Sequence, residues 1–139
     1  MEQYIEFITN HPVLTGTLAL LVILFIVLEK RKGGQGITTA QMTQLINNEG
    51  AVVLDIREKT EFGKGHVIGA INIPSSKIKS RLSELDKYRD KPVIVVDAMG
   101  QHGGSAGKQL KEAGLTRVMK LTGGIGTWQA DGLPLVKKG

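Results

Sequence analysis

The 139-residue chain has no cysteine. That one absence removes disulfides, thiolate metal sites and any cysteine nucleophile together. Histidine is scarce: His11, His66 and His102 lie far apart, and none stands at metal-ligand spacing from another donor. Neither a metal nor a cofactor is therefore expected. Aromatic residues are few and no basic cluster is interleaved with them, so a nucleic-acid surface is not expected either. Only Lys77, Lys79 and Arg81 crowd together, and they read as a solvated helix face. Internal repeats and low-complexity tracts are missing as well.

What the chain does have is apolar sequence, 41% of it, enough for the core of one ordinary domain plus an appendage. The appendage comes first. From Phe7 to Leu28, 22 residues pass without a formal charge. At about 1.5 Å per residue they reach roughly 33 Å, enough for a hydrocarbon core of about 30 Å. A cleavable signal peptide would need a basic start, and this one is acidic (Glu2, Glu6). A buried soluble helix is a poor alternative, because helices apolar on every side are rare in so small a protein. Lys30, Arg31 and Lys32 follow the run and no basic residue precedes it, which predicts a cytoplasmic C-terminal side and an N-terminus facing outward. The expected layout is a short extracytoplasmic N-terminus over 1–6, a transmembrane helix over 7–28 and a basic, glycine-rich linker over 29–36. A domain over 37–139 follows. Asn10, His11 and Pro12 mark the outer edge, where the helix can be capped or kinked. The charge of +5 falls wholly on the domain, which suits a protein held beside anionic lipid.

Within the domain, Ile37 starts a short edge strand and Thr38 or Thr39 N-caps a helix carrying Met42, Leu45 and Ile46. Ala51–Ile56 is a buried strand, Glu58–Lys64 a short helix, and Ile71–Ile73 a strand stopped by Pro74. Ser75 or Ser76 is expected to cap a helix with Ile78, Leu82 and Leu85 at helical spacing. A last strand covers Val118–Leu121, and Gly123–Gly132 reads as a turn and short helix. Strands alternating with helices predict an α/β fold, a parallel sheet covered on both faces. Its functional crevice lies beyond the carboxyl ends of the strands, the side of Asp55, Asp97 and Thr122.

The stretch with the most chemical content runs from Pro92 to Gly114. Val93–Val96, all β-branched, reads as a strand buried on both faces. It ends at Asp97, and a loop with Gly100, Gly103 and Gly104 leads to a helix over Ala106–Ala113 closed by Gly114. A strand, a glycine-rich turn and a helix start aim several N–H groups at one small volume, a cradle for an anion. The candidate cradle is Asp97, Ala98, Met99, Gly100, Gln101, His102, Gly103, Gly104 and Ser105.

Three segments together resemble the rhodanese-like domain. Residues 53–74, VLDIREKTEFGKGHVIGAINIP, are similar to the family's first signature: Asp-x-Arg after a strand, then Glu, Gly-His, Gly-Ala and Asn-x-Pro. Residues 123–134, GGIGTWQADGLP, resemble its terminal Gly-Gly-x-x-x-Trp signature. The similarity covers about 37–136 and implies a rhodanese-like parallel sheet flanked by helices, preceded here by the transmembrane helix. It also implies structural roles for Asp55, Arg57, Glu61, His66, Gly69, Gly123, Gly124 and Trp128. Sulfurtransferases of the family carry Cys-x-x-Gly-x-Arg after the fourth strand. Ungapped alignment puts Asp97 at the cysteine, Gly100 at the glycine and His102 at the arginine.

Asp97 cannot form a persulfide, and its charge would repel thiosulfate. The expectation is a catalytically inactive domain anchored in the inner membrane. It would work as an interaction module for another integral membrane protein, in membrane-protein assembly or transport. The alternative is a sensor that binds a small anion or sulfur species in the 97–105 loop without turnover. An enzyme using Asp97 is a third reading. For Asp97 itself the plain expectation is that its carboxylate folds into the loop amides as an internal anion.

Overall fold

Four consecutive β-branched side chains alternate between opposite sides of a strand, so each side needs its own apolar cover. The computed structural model, which describes residues 2–32 and 34–137, supplies both. The strand β4 (Val93–Val96) lies at the centre of a five-stranded, all-parallel sheet with β1 (Gln35–Ile37), β2 (Val52–Asp55), β3 (Ile71–Asn72) and β5 (Val118–Leu121). The order is β1-β5-β4-β2-β3, with Val96 level with Asp55 and Val95 with Lys120. Val93 and Val95 enter a core with Leu54, Ile78, Leu85 and Leu110; Ile94 and Val96 enter another with Met42, Leu121, Ile125 and Trp128. The first face is covered by α5 (Gly103–Glu112) and the 75–88 segment, the second by α3 (Thr39–Glu49) and α6 (Gly124–Ala130). The short helix α4 (Lys59–Lys64) links β2 to β3.

Local chemistry sets the ends of α3. The Thr38 side chain accepts from the Gln41 N–H while the Gln41 side chain accepts from the Thr38 N–H, a reciprocal cap. Gly50 at φ +64 closes the helix with its N–H on the Leu45 carbonyl.

Three expectations are corrected. The segment after Pro74 winds as 3-10 turns over Ser75–Lys77 and Lys79–Tyr88, with no serine cap. A kink at Arg81 (φ −119°, ψ 17°) lets its anchors, Ile78 and Leu85, both seal completely. The helix expected from Ala106 starts three residues earlier, at Gly103. The linker expected over 29–36 is shorter, because helix continues to Lys32 and Gln35–Ile37 pairs with Met119–Leu121. The domain therefore begins before Ile37: Gly34 is buried, and a Cβ there would stand 2.8 Å from the Val118 carbonyl oxygen.

The chain divides into two compact units after Arg31. The first holds α1 (Glu2–Asn10) and all but the last residue of α2 (Pro12–Lys32). The helix expected over 7–28 is broken at His11, within the Asn10–Pro12 stretch where a cap or kink was expected, so Phe7–Asn10 belongs to α1. Pro12 is the cause: it lacks an N–H, and its ring collides with the carbonyl four residues back. Among the described residues no single helix is long and apolar enough to cross a membrane. Glu2–Asn10 and Pro12–Leu28 meet that length and composition only as a pair, bent by 95°.

Candidate functional site

At the carboxyl edge of the sheet, the chain leaving β4 turns immediately around the side chain of Asp97. Oδ1 accepts the Gly100 N–H at 2.5 Å and Oδ2 accepts the His102 N–H at 2.6 Å. Asp97 is only 4% exposed. Its carboxylate fills the volume at which the loop amides point, as the internal-anion expectation had it. The loop is thereby drawn tight enough for α5 to begin at Gly103.

The second wall is the Gly123-Gly124 turn. The Ile125 N–H donates to the Asp97 carbonyl at 2.8 Å and the Gly126 N–H to the Ala98 carbonyl at 3.1 Å. The backbones come so close that side chains are barred on both sides. A Cβ on Gly100 (φ +85) would stand 2.9 Å from the Gly123 nitrogen. One on Gly124 (φ +62) would run into the Asp97 carbonyl oxygen and stand 2.9 Å from Asp97 Oδ1. The glycine pair is thus a packing requirement of the loop it touches.

The other loop residues separate. Ala98, Met99, Gln101, His102 and Ser105 are exposed, Met99 to 68%. Gly103 and Gly104 form the first turn of α5, where Lys120 lies alongside: a Cβ on Gly104 would meet its Nζ at 3.6 Å. Lys120 was not among the residues expected at the site. The available signal was a lone charge inside an apolar strand. Ser75, Ser76, His102, Ser105, Ala106 and Gln109 line a cavity of about 200 Å³ beside the loop. Gln109 Oε1 is a buried side-chain acceptor without a partner.

Part of the first signature sits around a different carboxylate. Asp55, 1% exposed, accepts the Arg57 backbone N–H at 3.0 Å and grips its guanidinium through both oxygens, Nε to Oδ1 at 3.0 Å and Nη2 to Oδ2 at 2.8 Å. Arg57 Nη2 also donates to the Gly65 carbonyl at 2.7 Å, and Asn72 Nδ2 bridges the Asp55 and Arg57 carbonyls at 3.0 and 2.9 Å. His66 is buried, with Nδ1 2.8 Å from the Phe62 carbonyl and its ring stacked 3.7 Å from that of Phe62. Its backbone exchanges two 2.8 Å bonds with Val136. Trp128 is 6% exposed and donates Nε1–H to the Pro134 carbonyl at 3.0 Å. Gly69 (φ +77) occupies an exposed turn, and Glu61 makes an exposed pair with Lys64 at 3.2 Å.

Comparison with known proteins agrees with this geometry. The profile of the rhodanese-like domain matches residues 38–131. The uncharacterized protein YibN of Escherichia coli is 39% identical over 141 residues, covering 99% of each chain. A protein named sulfurtransferase from Allochromatium vinosum is 34% identical over 93 residues, 67% of this chain and 85% of its own. Among solved structures, a rhodanese-related protein from Thermoplasma volcanium superposes with a TM-score of 0.68 at 32% identity, over 75% of this chain and 99% of that one.

Two stability outcomes follow. Asp97→Ala should cost about 1–3 kcal/mol, because two loop N–H groups lose a charged acceptor. Added thiosulfate or sulfate should raise the melting temperature of that variant and leave the parent unchanged, as thermal unfolding with and without the anion will show. Asp55→Ala should cost about 3–5 kcal/mol by leaving the Arg57 guanidinium buried and unpaired. In a urea titration alongside Asp55→Ala, Glu61→Ala, at an exposed pair, should cost under about 1 kcal/mol.

Proposed function

The chain belongs to the rhodanese-like domain family, and from that premise we propose that it is a catalytically inactive member. In this reading its N-terminal helices tether it to the bacterial inner membrane, with the N-terminus in the periplasm and the domain in the cytoplasm. The domain serves there as a docking module for another integral membrane protein, in membrane-protein assembly or transport. The single observation that supports the inactive reading is the Asp97 carboxylate, which stands at the family's thiolate position with both oxygens engaged by loop amides. The chain has no thiol to carry a persulfide, and two loop amides that would steady an incoming anion, those of Gly100 and His102, are already engaged. An enzyme using Asp97 fares poorly for the same reason, since both oxygens of a carboxylate that is 4% exposed are already bonded and withdrawn from any substrate. Tethering supplies the argument for docking: a domain held at the bilayer meets membrane neighbours at high effective concentration.

A second reading has one observation in its favour. The cavity beside the loop presents His102 and the hydroxyls of Ser75, Ser76 and Ser105, groups suited to a small anion or sulfur species bound without turnover. Shifts in the amide resonances of Gly100–Ser105 on adding thiosulfate, sulfide or phosphate would favour it over docking.

Two experiments test the proposal. Asp97→Cys combined with His102→Arg should acquire thiosulfate sulfurtransferase activity, since loop length and the Gly123-Gly124 wall are in place. The parent chain should have none, and turnover in the parent that disappears in Asp97→Asn would overturn the inactive reading. Quantitative crosslinking in native membranes should compare the full chain, residues 34–139 (which keep β1) and the domain on an unrelated span. Docking through the domain predicts one integral membrane partner common to all three. A partner lost whenever the native helices are changed would move recognition to residues 2–28, and no specific partner would overturn the docking role.

A further inference from the structure

We propose that α1 is an in-plane lipid anchor, its Tyr4, Ile5, Phe7 and Ile8 face sunk into the outer interface of the bilayer while α2 crosses the hydrocarbon. The inference rests on the membrane-tethered reading above and adds a binding surface to it. Winding α1 at 3.6 residues per turn gathers Tyr4, Ile5, Phe7 and Ile8 on one side. Glu2, Gln3, Glu6, Thr9 and Asn10 fall on the other. The apolar four are 75%, 60%, 53% and 53% exposed, so within their own unit no described residue covers them. The helix α2 is different in kind, with Val13, Leu18, Leu20, Ile23 and Phe25 exposed around its whole circumference. A two-sided helix joined at 95° to one that is uncharged and predominantly apolar over Pro12–Leu28 matches a bilayer, which offers a two-sided boundary at right angles to a uniform interior.

Length makes the same point. The apolar part of α2, Pro12–Leu28, reaches about 25 Å, which is short of a hydrocarbon core of about 30 Å. An interfacial helix buries its apolar face roughly 5–10 Å into the headgroup and acyl boundary, which covers the shortfall at the outer side. The corner is built to last. Its backbone is continuous through His11, whose N–H donates to Phe7 and whose carbonyl accepts from Thr15, both at 3.0 Å. The rings of Phe7 and His11 pack at 4.7 Å across it. The hydroxyls of Thr9 and Thr17 are spent on the Ile5 and Val13 carbonyls, so neither needs water. The helix α1 carries Glu2 and Glu6 and no basic residue, so the attraction is apolar burial and not headgroup charge, and salt should not weaken it.

The absence of cysteine makes the test clean, since every single-cysteine variant of the full chain carries one thiol. Variants at each of positions 2–10 and at Val22, labelled with an environment-sensitive fluorophore, are reconstituted in phosphatidylethanolamine and phosphatidylglycerol vesicles. The expected result is a blue shift at Tyr4, Ile5, Phe7 and Ile8, none at Glu2, Glu6 and Asn10, and a strong shift at Val22→Cys. The pattern should persist in high salt and on dilution with lipid, and Ile8→Asp should erase it while Val22→Cys stays shifted. A steady deepening from 2 to 10 would mean a straight helix, and uniformly aqueous labels would mean a free N-terminus. Either overturns the anchor while a shifted Val22→Cys keeps the tether. A pattern that fades on lipid dilution would assign the face to a second copy, again overturning the anchor. An aqueous Val22→Cys would overturn the tether and the anchor with it.

Discussion

Two hydrogen bonds, from the Gly100 and His102 N–H groups to the Asp97 carboxylate, hold together the part of the domain where chemistry would take place. The strand β4 is sealed on both faces, so the chain must leave it at once and turn within a few residues. Backbone donors in such a turn point inward, where water cannot serve them. A carboxylate at the first position after the strand meets that demand with a full charge. The early start of α5 and the close seat of the Gly123-Gly124 turn both follow from the loop drawn in this way.

A few ångströms of sequence register away, Asp55 ends the neighbouring strand and solves the same problem by other means. It too is almost completely buried, but its partner is a guanidinium. Burying a charge is costly unless it is both paired and hydrogen-bonded, and the two aspartates divide those remedies between them. Asp55 spends its oxygens on Arg57, which in turn holds the Gly65 carbonyl at the end of α4. Asp97 places its oxygens on the amides of its own loop. One carboxylate ties together separate segments, and the other shapes the segment to which it belongs.

The sheet was readable in advance because runs such as Val93–Val96 and Val52–Asp55 have few other uses. The two signatures were readable because residues such as Asp55, Gly123 and Gly124 answer local charge or steric demands. Where reading failed, the deciding contact lay far along the chain. Ile78, Leu82 and Leu85 have helical spacing, yet what they had to satisfy was a fixed pair of seats on the sheet, reached by 3-10 winding. Lys120 looked like an ordinary strand charge, and only folding put it beside Gly104. The break at His11 is a different case. Pro12 announced it, but an unbroken run of apolar residues speaks of length and says nothing of direction.

The attached anion has one more consequence. When a loop is ordered by a dissolved ion, its stability follows that ion's concentration by mass action. Sulfate, phosphate or thiosulfate would then set how often the loop is formed, and anything resting on it would respond to cellular chemistry. Asp97 travels with the loop, so its local concentration is a constant of the covalent chain. The face presented by Ala98, Met99 and Gln101 is therefore insulated from the ionic composition of its surroundings.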